Sequence, residues 1–384
     1  MMRRSRYKTV AICCIALLAT GGFAAGGAVF VPWLQSVQLH NGNGTGAQSN
    51  DTSDEKVVYI RHSSADLLGY NWTQGAGSMA SAVAEIKDDS ITIESEYSKT
   101  LHHDKPYPAS FDSQDGLIVE KHYGTQKGNQ FFALDTVGQV RNCTHHSNAD
   151  LLAESRIAPD LPLRADGTPM VLIYHSHTTE SFVQGARGYY DSEFNYRTTD
   201  PDKNIVMVGD AIAAELTAAG IGVIHAETIH DYPSWNGSYS RSAKTVSAII
   251  EEYPSICIAL DIHRDAITTN GNIIAPVAEI NGKKSAQIMI ISGCDDGTMG
   301  MPQYLQNFHL ASRLQQQMES TYKGLTRPVL FDYRKYNQDL TTGSLLIEVG
   351  GHGNTMEEAQ YAGTLFGKSL AQTILALIEE ANRN

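Results

Sequence analysis

The sequence lacks the features of several common protein classes. Its five cysteines, Cys13, Cys14, Cys143, Cys257 and Cys294, show no CxxC spacing, and the first two lie in one apolar stretch. The remaining three are an odd number, so neither a disulfide framework nor a cysteine zinc site is expected. The chain also has no G-x-x-x-x-G-K-[ST] phosphate loop, no strand–GxGxxG–helix unit and no G-x-S-x-G nucleophile elbow with its partners in order.

Positive charge is scarce as well. Lys and Arg number 29 against 42 Asp and Glu, which gives a net charge of −13. Binding to nucleic acid through phosphate neutralisation is therefore not expected, and net charge offers no attraction to an anionic membrane or wall polymer. Hydrophobic residues make up 42% of the 384 residues, so the chain can bury a core and is long enough for two domains of roughly 150 residues.

The N-terminus carries one long uncharged stretch. Residues 1–8 are rich in Arg and Lys, whereas residues 9–34 contain no charged residue and end near Trp33. This pattern predicts a short cytoplasmic tail, a transmembrane helix and an extracytoplasmic remainder in the cell membrane. The alternative is a cleaved signal peptide with its site at the small residues 24–28. Residues 35–56, rich in Gly, Asn, Ser and Asp, are predicted to be a flexible linker.

The remainder divides into two predicted domains. Residues 57–160 alternate short β-like runs with turn residues, which predicts a small α+β domain. Residues 161–384 alternate strands and helices, and the apolar runs at 170–174, 256–262 and 345–349 are typical of buried parallel strands. The predicted fold class is thus α/β, with a mostly parallel sheet flanked by helices.

Two local signals refine this picture. Asn281-Gly282 between residues 275–280 and 287–291 predicts a type I′ hairpin. Thr355 and Glu358 have the spacing of a capping box at the start of the last helix.

Three of the predicted strands end in polar clusters, at residues 174–180, 261–265 and 347–351. Ligands of parallel α/β sheets bind at the carboxyl ends of the strands, so we expect all three clusters on the same rim. His177 and Glu180 form an H-x-x-E unit, and His263 would complete a His₂Glu set that suits Zn²⁺. His175, two positions before His177, is the alternative first ligand.

Other residues of these clusters suit the remaining chemistry. Glu348 is placed to act as the general base. Arg264 could bind a substrate carboxylate or a developing oxyanion, and Asp265 could orient a ligand histidine; an Arg264–Asp265 ion pair is an equally good interpretation. His352 lies on the glycine-rich turn after the third cluster and could line the site.

Four segments of the chain resemble the stage II sporulation protein P family of endospore-forming Firmicutes, namely residues 172–182, 232–242, 260–266 and 336–359. The resemblance extends over about residues 125–380. The resemblance implies a zinc-dependent peptidoglycan hydrolase related to N-acetylmuramoyl-L-alanine amidases. The family is also credited with cleavage of peptide cross-links. His177 and His263 match the family's histidines and Glu348 its catalytic glutamate, whereas Glu180 as a ligand rests on the H-x-x-E spacing.

The resemblance also implies a role in forespore engulfment, with the sporulation proteins D and M as partners. Two other functions stay open on the residues alone. One is a metallo-endopeptidase or carboxypeptidase in which Arg264 grips a peptide carboxylate. The other is a catalytically silent wall-binding scaffold.

Overall fold

The computed structural model describes residues 105–383. The predicted tail 1–8, anchor 9–34 and linker 35–56, together with the first part of the predicted small domain, lie outside the described residues. Within the described range, no helix combines the length and the apolar composition that crossing a membrane requires.

Residues 105–383 form two β-sheets with helices packed against them. The strands are β1 Gly116–Lys121, β2 Phe131–Ala133, β3 Gln139–Asn142, β4 Pro169–Tyr174, β5 Tyr189–Tyr190, β6 Gly222–His225, β7 Ile258–Asp265, β8 Thr268–Thr269, β9 Asn272–Ile280, β10 Lys283–Ala286, β11 Ile288–Cys294, β12 Val329–Tyr333 and β13 Gly343–Gly351. The helices are α1 Asn148–Glu154, α2 Val206–Ala218, α3 Ser238–Glu252, α4 Tyr304–Thr321 and α5 Met356–Ala381. The predicted mixed α/β architecture is thus confirmed.

The larger sheet has eight strands in the order β2-β3-β12-β11-β13-β7-β4-β6. Five of its seven pairings are parallel, and only β2–β3 and β11–β13 are antiparallel. Its central strands carry apolar residues on both faces because helices cover both faces, as expected for a parallel sheet. The prediction of a mostly parallel sheet is confirmed.

The last helix begins and packs as its sequence suggests. The Thr355 side chain accepts from the Glu358 backbone N–H, and the Glu358 carboxylate accepts from the Thr355 N–H, which is the predicted capping box. Two glycines then allow α5 to approach α2. A Cβ on Gly363 would lie 2.9 Å from Val208 O, and one on Gly367 would lie 3.0 Å from the Ile212 backbone.

The described part of the predicted small domain is not a separate unit. Strand β3 pairs in parallel with β12 in the main sheet, and β1 pairs with β9 and β5 in the smaller sheet. The boundary expected near residue 160 therefore does not separate two cores. Short alternating runs indicate strands, but they carry no information about which distant strand each one joins.

The predicted hairpin exists with a different second strand. Asn281 and Gly282 have positive φ values of 52° and 75°, as a type I′ turn requires, and they join β9 to β10. Strand β11, which was expected to complete the hairpin, leaves it and joins the main sheet between β12 and β13. The turn was predictable because it is local, whereas the sheet change depends on tertiary packing.

Strands β13, β7 and β4 are adjacent and parallel, so the three polar clusters meet at one edge of the sheet. Glu348 pairs with His263 across β13 and β7, and Tyr174 at the end of β4 pairs with Asp261. The expectation that these clusters share a rim is confirmed.

Candidate active site

His263 lies between two carboxylates at the end of β7. Its Nε2 is 2.8 Å from Asp261 Oδ1, and its Nδ1 is 3.5 Å from Glu180 Oε2. Burial alone would lower the pKa of His263, but Asp261 and Glu180 together raise it well above its usual range. The site therefore stabilises positive charge on this imidazole or on a cation beside it.

Glu180 is buried and held as an ionised carboxylate. Burial by itself would raise its pKa, but the nearby charges of Arg264, His263 and Arg197 bring that pKa well below its usual range. Its Oε2 accepts a 3.0 Å hydrogen bond from the Arg264 backbone N–H, and Arg197 Nη2 lies 3.4 Å from Oε1. Glu180 therefore carries the negative charge that a metal-binding carboxylate needs, and its position is fixed by the protein itself.

Arg264 holds the segment that carries Glu180. Its Nε donates to Ser181 O at 3.0 Å and its Nη2 to Tyr196 O at 2.8 Å, while Nη1 lies 3.8 Å from Glu180 Oε1. The residue is buried. The guanidinium predicted to bind substrate is therefore engaged with the protein itself, and Arg264 is a positioning residue in this structure.

His177 extends from the turn after β4 toward His263, with ring centroids 5.2 Å apart. Ser238 Oγ lies 3.3 Å from His177 Nδ1, and the indole of Trp235 stacks on the ring at 5.0 Å. Burial lowers the pKa of His177 to about 4, so the ring is neutral at physiological pH. With Nδ1 occupied by Ser238, Nε2 is the nitrogen suited to bind a metal.

His175 lies on the other side of the sheet and is fully buried. Its Nδ1 contacts Ile262 O at 2.9 Å and its Nε2 contacts His225 Nε2 at 2.8 Å. Both ring nitrogens thus have protein partners away from His263. Of the two histidines predicted as alternatives, His177 is the one that the fold places beside His263 and Glu180.

Glu348 projects from β13 beside His263. Its Oε2 is buried and has no hydrogen-bond partner among the described residues. Burial and the neighbouring Asp265 carboxylate raise the pKa of Glu348 to about 8, against a smaller opposing effect of His263. A carboxyl group with a raised pKa and one buried oxygen that lacks a partner is suited to accept and return a proton.

The neighbour of the ligand histidine is Asp261 and not Asp265 as predicted. Asp265 Oδ2 pairs with Arg327 Nη1 at 2.8 Å, so neither the predicted contact with a ligand histidine nor the Arg264–Asp265 ion pair forms. Asp261 is itself fixed, because its Oδ1 accepts a 2.8 Å hydrogen bond from the Ser176 backbone N–H. Asp261 and Asp265 both stand two positions from His263, and the sequence does not distinguish them.

The donor set fits a zinc ion. Two imidazoles and one carboxylate, from His177, His263 and Glu180, are the ligands of many catalytic zinc sites. Asp261 Oδ1, 2.8 Å from His263 Nε2, lies where a carboxylate could orient such a ligand. The carboxylates of Asp261 and Glu180 around His263 supply negative charge that a buried dication requires.

Several residues of the site were not predicted. Asp231 accepts from the Thr179 backbone N–H and from Arg197, which links the turn after β4 to the loop before α3. From the same loop and helix, Trp235 and Tyr239 flank the histidines, with the Tyr239 ring 6.2 Å from His263 and nearly parallel to it. Trp235 and Tyr239 belong to residues 232–242, one of the segments that resemble the family.

If His263 binds zinc as the donor set suggests, replacing Asp261 with Asn should weaken that binding by about 10- to 100-fold, because the candidate ligand His263 loses the carboxylate beside it. The change keeps the shape of the side chain and can be followed by competition with a chelator of known affinity. Asp265→Asn is the matched control and should leave the zinc affinity nearly unchanged. Equal affinities for the wild type and Asp261→Asn would contradict this role.

Comparison with known sequences shows the family of the chain. The sequence model of the family described as Stage II sporulation protein P (SpoIIP) matches residues 74–371, well over half of the chain. The chain belongs to this family. It is 31% identical over 210 residues to the Stage II sporulation protein P of Bacillus subtilis (strain 168), a match that covers 50% of this chain and 48% of that protein.

Solved structures were compared as well. The amidase AmiC2 of Nostoc punctiforme, an N-acetylmuramoyl-L-alanine amidase, aligns with a TM-score of 0.34 at 14% identity, covering 56% of this chain and 99% of that chain. A metallo-carboxypeptidase from Burkholderia cenocepacia aligns with a TM-score of 0.32 at 9% identity, covering 62% and 70%. The match to the curated relative spans about half of that relative's length.

Proposed function

We propose that this member of the family is a zinc-dependent peptidoglycan hydrolase that acts as an N-acetylmuramoyl-L-alanine amidase. The observation that carries the proposal is the meeting of His177, Glu180 and His263 at one sheet edge, with Glu348, whose Oε2 lacks a hydrogen-bond partner, beside them. Membership of the sporulation family supports peptidoglycan as the substrate.

Each side chain has a defined task in this proposal. His177, Glu180 and His263 would hold the zinc ion, which when bound supplies Lewis-acid polarisation of the scissile carbonyl and activation of water. Glu348 takes a proton from the attacking water and returns it to the leaving amine. Asp261 keeps His263 oriented, and Arg264 keeps Glu180 ionised and in position.

Zinc dependence is tested by metal analysis of the purified chain together with digestion of sacculi. We expect metal at the site and hydrolysis that stops with a chelator and returns when Zn²⁺ is added. Undiminished hydrolysis by metal-free protein would contradict the proposal.

Trp235 supplies an aromatic surface at the entrance of the site. Its indole stacks on His177 at an interplanar angle of 18° and is 45% exposed. Exposed tryptophans of this kind bind the apolar faces of sugars and peptides. We therefore propose that Trp235 contacts the substrate next to the scissile bond.

Trp235→Ala should raise KM several-fold with a smaller change in kcat, because a contact made equally in the ground and transition states is lost. Trp235→Phe should recover part of the effect. Leu375→Ala, an exposed apolar residue on α5, is the control and should leave both constants unchanged. An unchanged KM for Trp235→Ala, measured on soluble muropeptide chains, would remove Trp235 from the binding surface.

The carboxypeptidase alternative loses its main support in the fold. It required the Arg264 guanidinium to bind a substrate carboxylate, but that group is buried against Ser181 O, Tyr196 O and Glu180. A silent scaffold would have no need to keep Glu348 Oε2 buried without a partner, since such a polar atom costs free energy.

The cellular setting is part of the same proposal. A transmembrane helix over residues 9–34 would hold the catalytic domain outside the membrane, and the sporulation proteins D and M would be its partners during engulfment. Because the net charge of −13 gives no attraction to an anionic wall, tethering and partners would bring the enzyme to its substrate.

A further inference from the structure

A second group of metal-ligating side chains lies at the end of β6, apart from the site around His263. Asp210 on α2, His225 at the end of β6 and Glu227 two positions later each offer one ligand atom, and these atoms all lie within 4.8 Å of one another. His225 is almost fully buried, whereas the Asp210 side chain is 29% exposed and gives a route from solvent.

The hydrogen bonds of His175 determine which nitrogen of His225 faces this group. His175 Nδ1 must donate to Ile262 O, because a carbonyl oxygen only accepts. His175 is fully buried, and an imidazolium there would carry a large desolvation cost, so its Nε2 accepts. The proton between the two rings therefore belongs to His225 Nε2, 2.8 Å away.

This assignment leaves the lone pair of a neutral His225 at Nδ1. That atom lies 3.0 Å from Asp210 Oδ1. Both atoms therefore point toward one position where a cation could be shared. A histidine whose far N–H is fixed by a hydrogen bond is also the usual form of a metal ligand.

Gly209 makes the arrangement possible. A Cβ at this position would lie 2.3 Å from His225 Nε2 and 3.0 Å from His175 Nε2, so any other residue would displace the two rings. The pair of imidazoles is thus built into the contact between α2 and β6.

We propose that Asp210, His225 and Glu227 bind a divalent transition metal ion at a second, structural site that joins α2 to the end of β6. One imidazole and two carboxylates with a solvent-accessible side suit Zn²⁺ or a similar first-row ion. The site is separate from the proposed catalytic residues, because its His225 packs against His175, on the face of the sheet opposite to His263. The competing arrangement is an imidazolium of His225 paired with Asp210.

The test uses the full chain with His177→Ala and His263→Ala, which removes the first site. After treatment with a chelator, this variant is titrated with Zn²⁺ in a calorimeter, and its thermal unfolding is followed with and without Zn²⁺. We expect one equivalent to bind and to raise the unfolding temperature. Adding Asp210→Asn or Glu227→Gln should each reduce the affinity by at least tenfold and abolish the shift.

Glu215→Gln on the same helix α2 is the matched control, because Glu215 lies outside the group, and it should bind Zn²⁺ as the parent variant does. Absence of binding in a parent variant that still unfolds cooperatively would overturn the proposal in favour of the ion pair. Binding that persists after Asp210→Asn and Glu227→Gln would overturn it too. If the wild type and the parent variant each bind one equivalent of Zn²⁺, the proposed amidase site does not bind zinc, whereas the site at Asp210, His225 and Glu227 does.

Discussion

Glu348→Gln should lower kcat for peptidoglycan hydrolysis by about 10²- to 10⁴-fold, because the site loses the group that moves the proton. Oε2 of this half-buried residue is buried and has no hydrogen-bond partner among the described residues, and the amide of Gln keeps the shape of the side chain. Burial and Asp265 raise the pKa of Glu348 to about 8, so the loss of its charge is not expected to destabilise the fold. The variant should therefore fold at least as stably as the wild type.

The measurement is the release of soluble fragments from purified sacculi at saturating enzyme, with zinc content determined on the same preparations. We expect zinc content to be unchanged, because Glu348 is not in the predicted ligand set. Glu120→Gln, an exposed glutamate on β1, is the control for a change of charge and should retain full activity. A fully active Glu348→Gln would show that another group serves as the base.

His263→Ala should remove the metal ion of the first site and the activity. His263 is the residue that touches both carboxylates of the site, with Asp261 at 2.8 Å and Glu180 at 3.5 Å. Without it, only His177 and Glu180 remain of the His₂Glu set, and two ligands do not hold a catalytic zinc ion. Activity should fall to the background level of the assay, and added Zn²⁺ should not restore it.

The comparison is with His145→Ala, which removes an exposed histidine far from the ligand set and should keep metal and activity. Zinc is measured by competition with a chelator, because the second group around His225 is expected to retain its own metal ion. A His263→Ala protein that hydrolyses sacculi as fast as the wild type would refute the ligand set.

The parts of this fold that could be predicted are those governed by local pattern and by general rules of sheets. Buried apolar runs gave β4, β7 and β13, and because parallel strands end at the same edge, His177, His263 and Glu348 were expected together. The capping box at Thr355 and the turn at Asn281 are local hydrogen-bond patterns and were predicted for the same reason.

The errors arose where a partner is chosen by tertiary packing. Asp265 and Asp261 are both two residues from His263 along the strand. Only the tertiary structure shows that Asp265 forms an ion pair with Arg327. The sequence suggests that Arg264 contacts either substrate or Asp265, but its guanidinium donates to the backbone oxygens of Ser181 and Tyr196. The aromatic rings of Trp235 and Tyr239 come from a loop whose path the sequence does not indicate.

The most direct test of the central proposal is the identity of the bond that is cut. Purified sacculi are digested with the chain and the soluble and bound products are analysed by mass spectrometry. The proposed amidase predicts intact stem peptides with a new L-Ala amino terminus and glycan strands that have lost them. Shortened peptides still attached to N-acetylmuramic acid would contradict the amidase assignment and favour a peptidase.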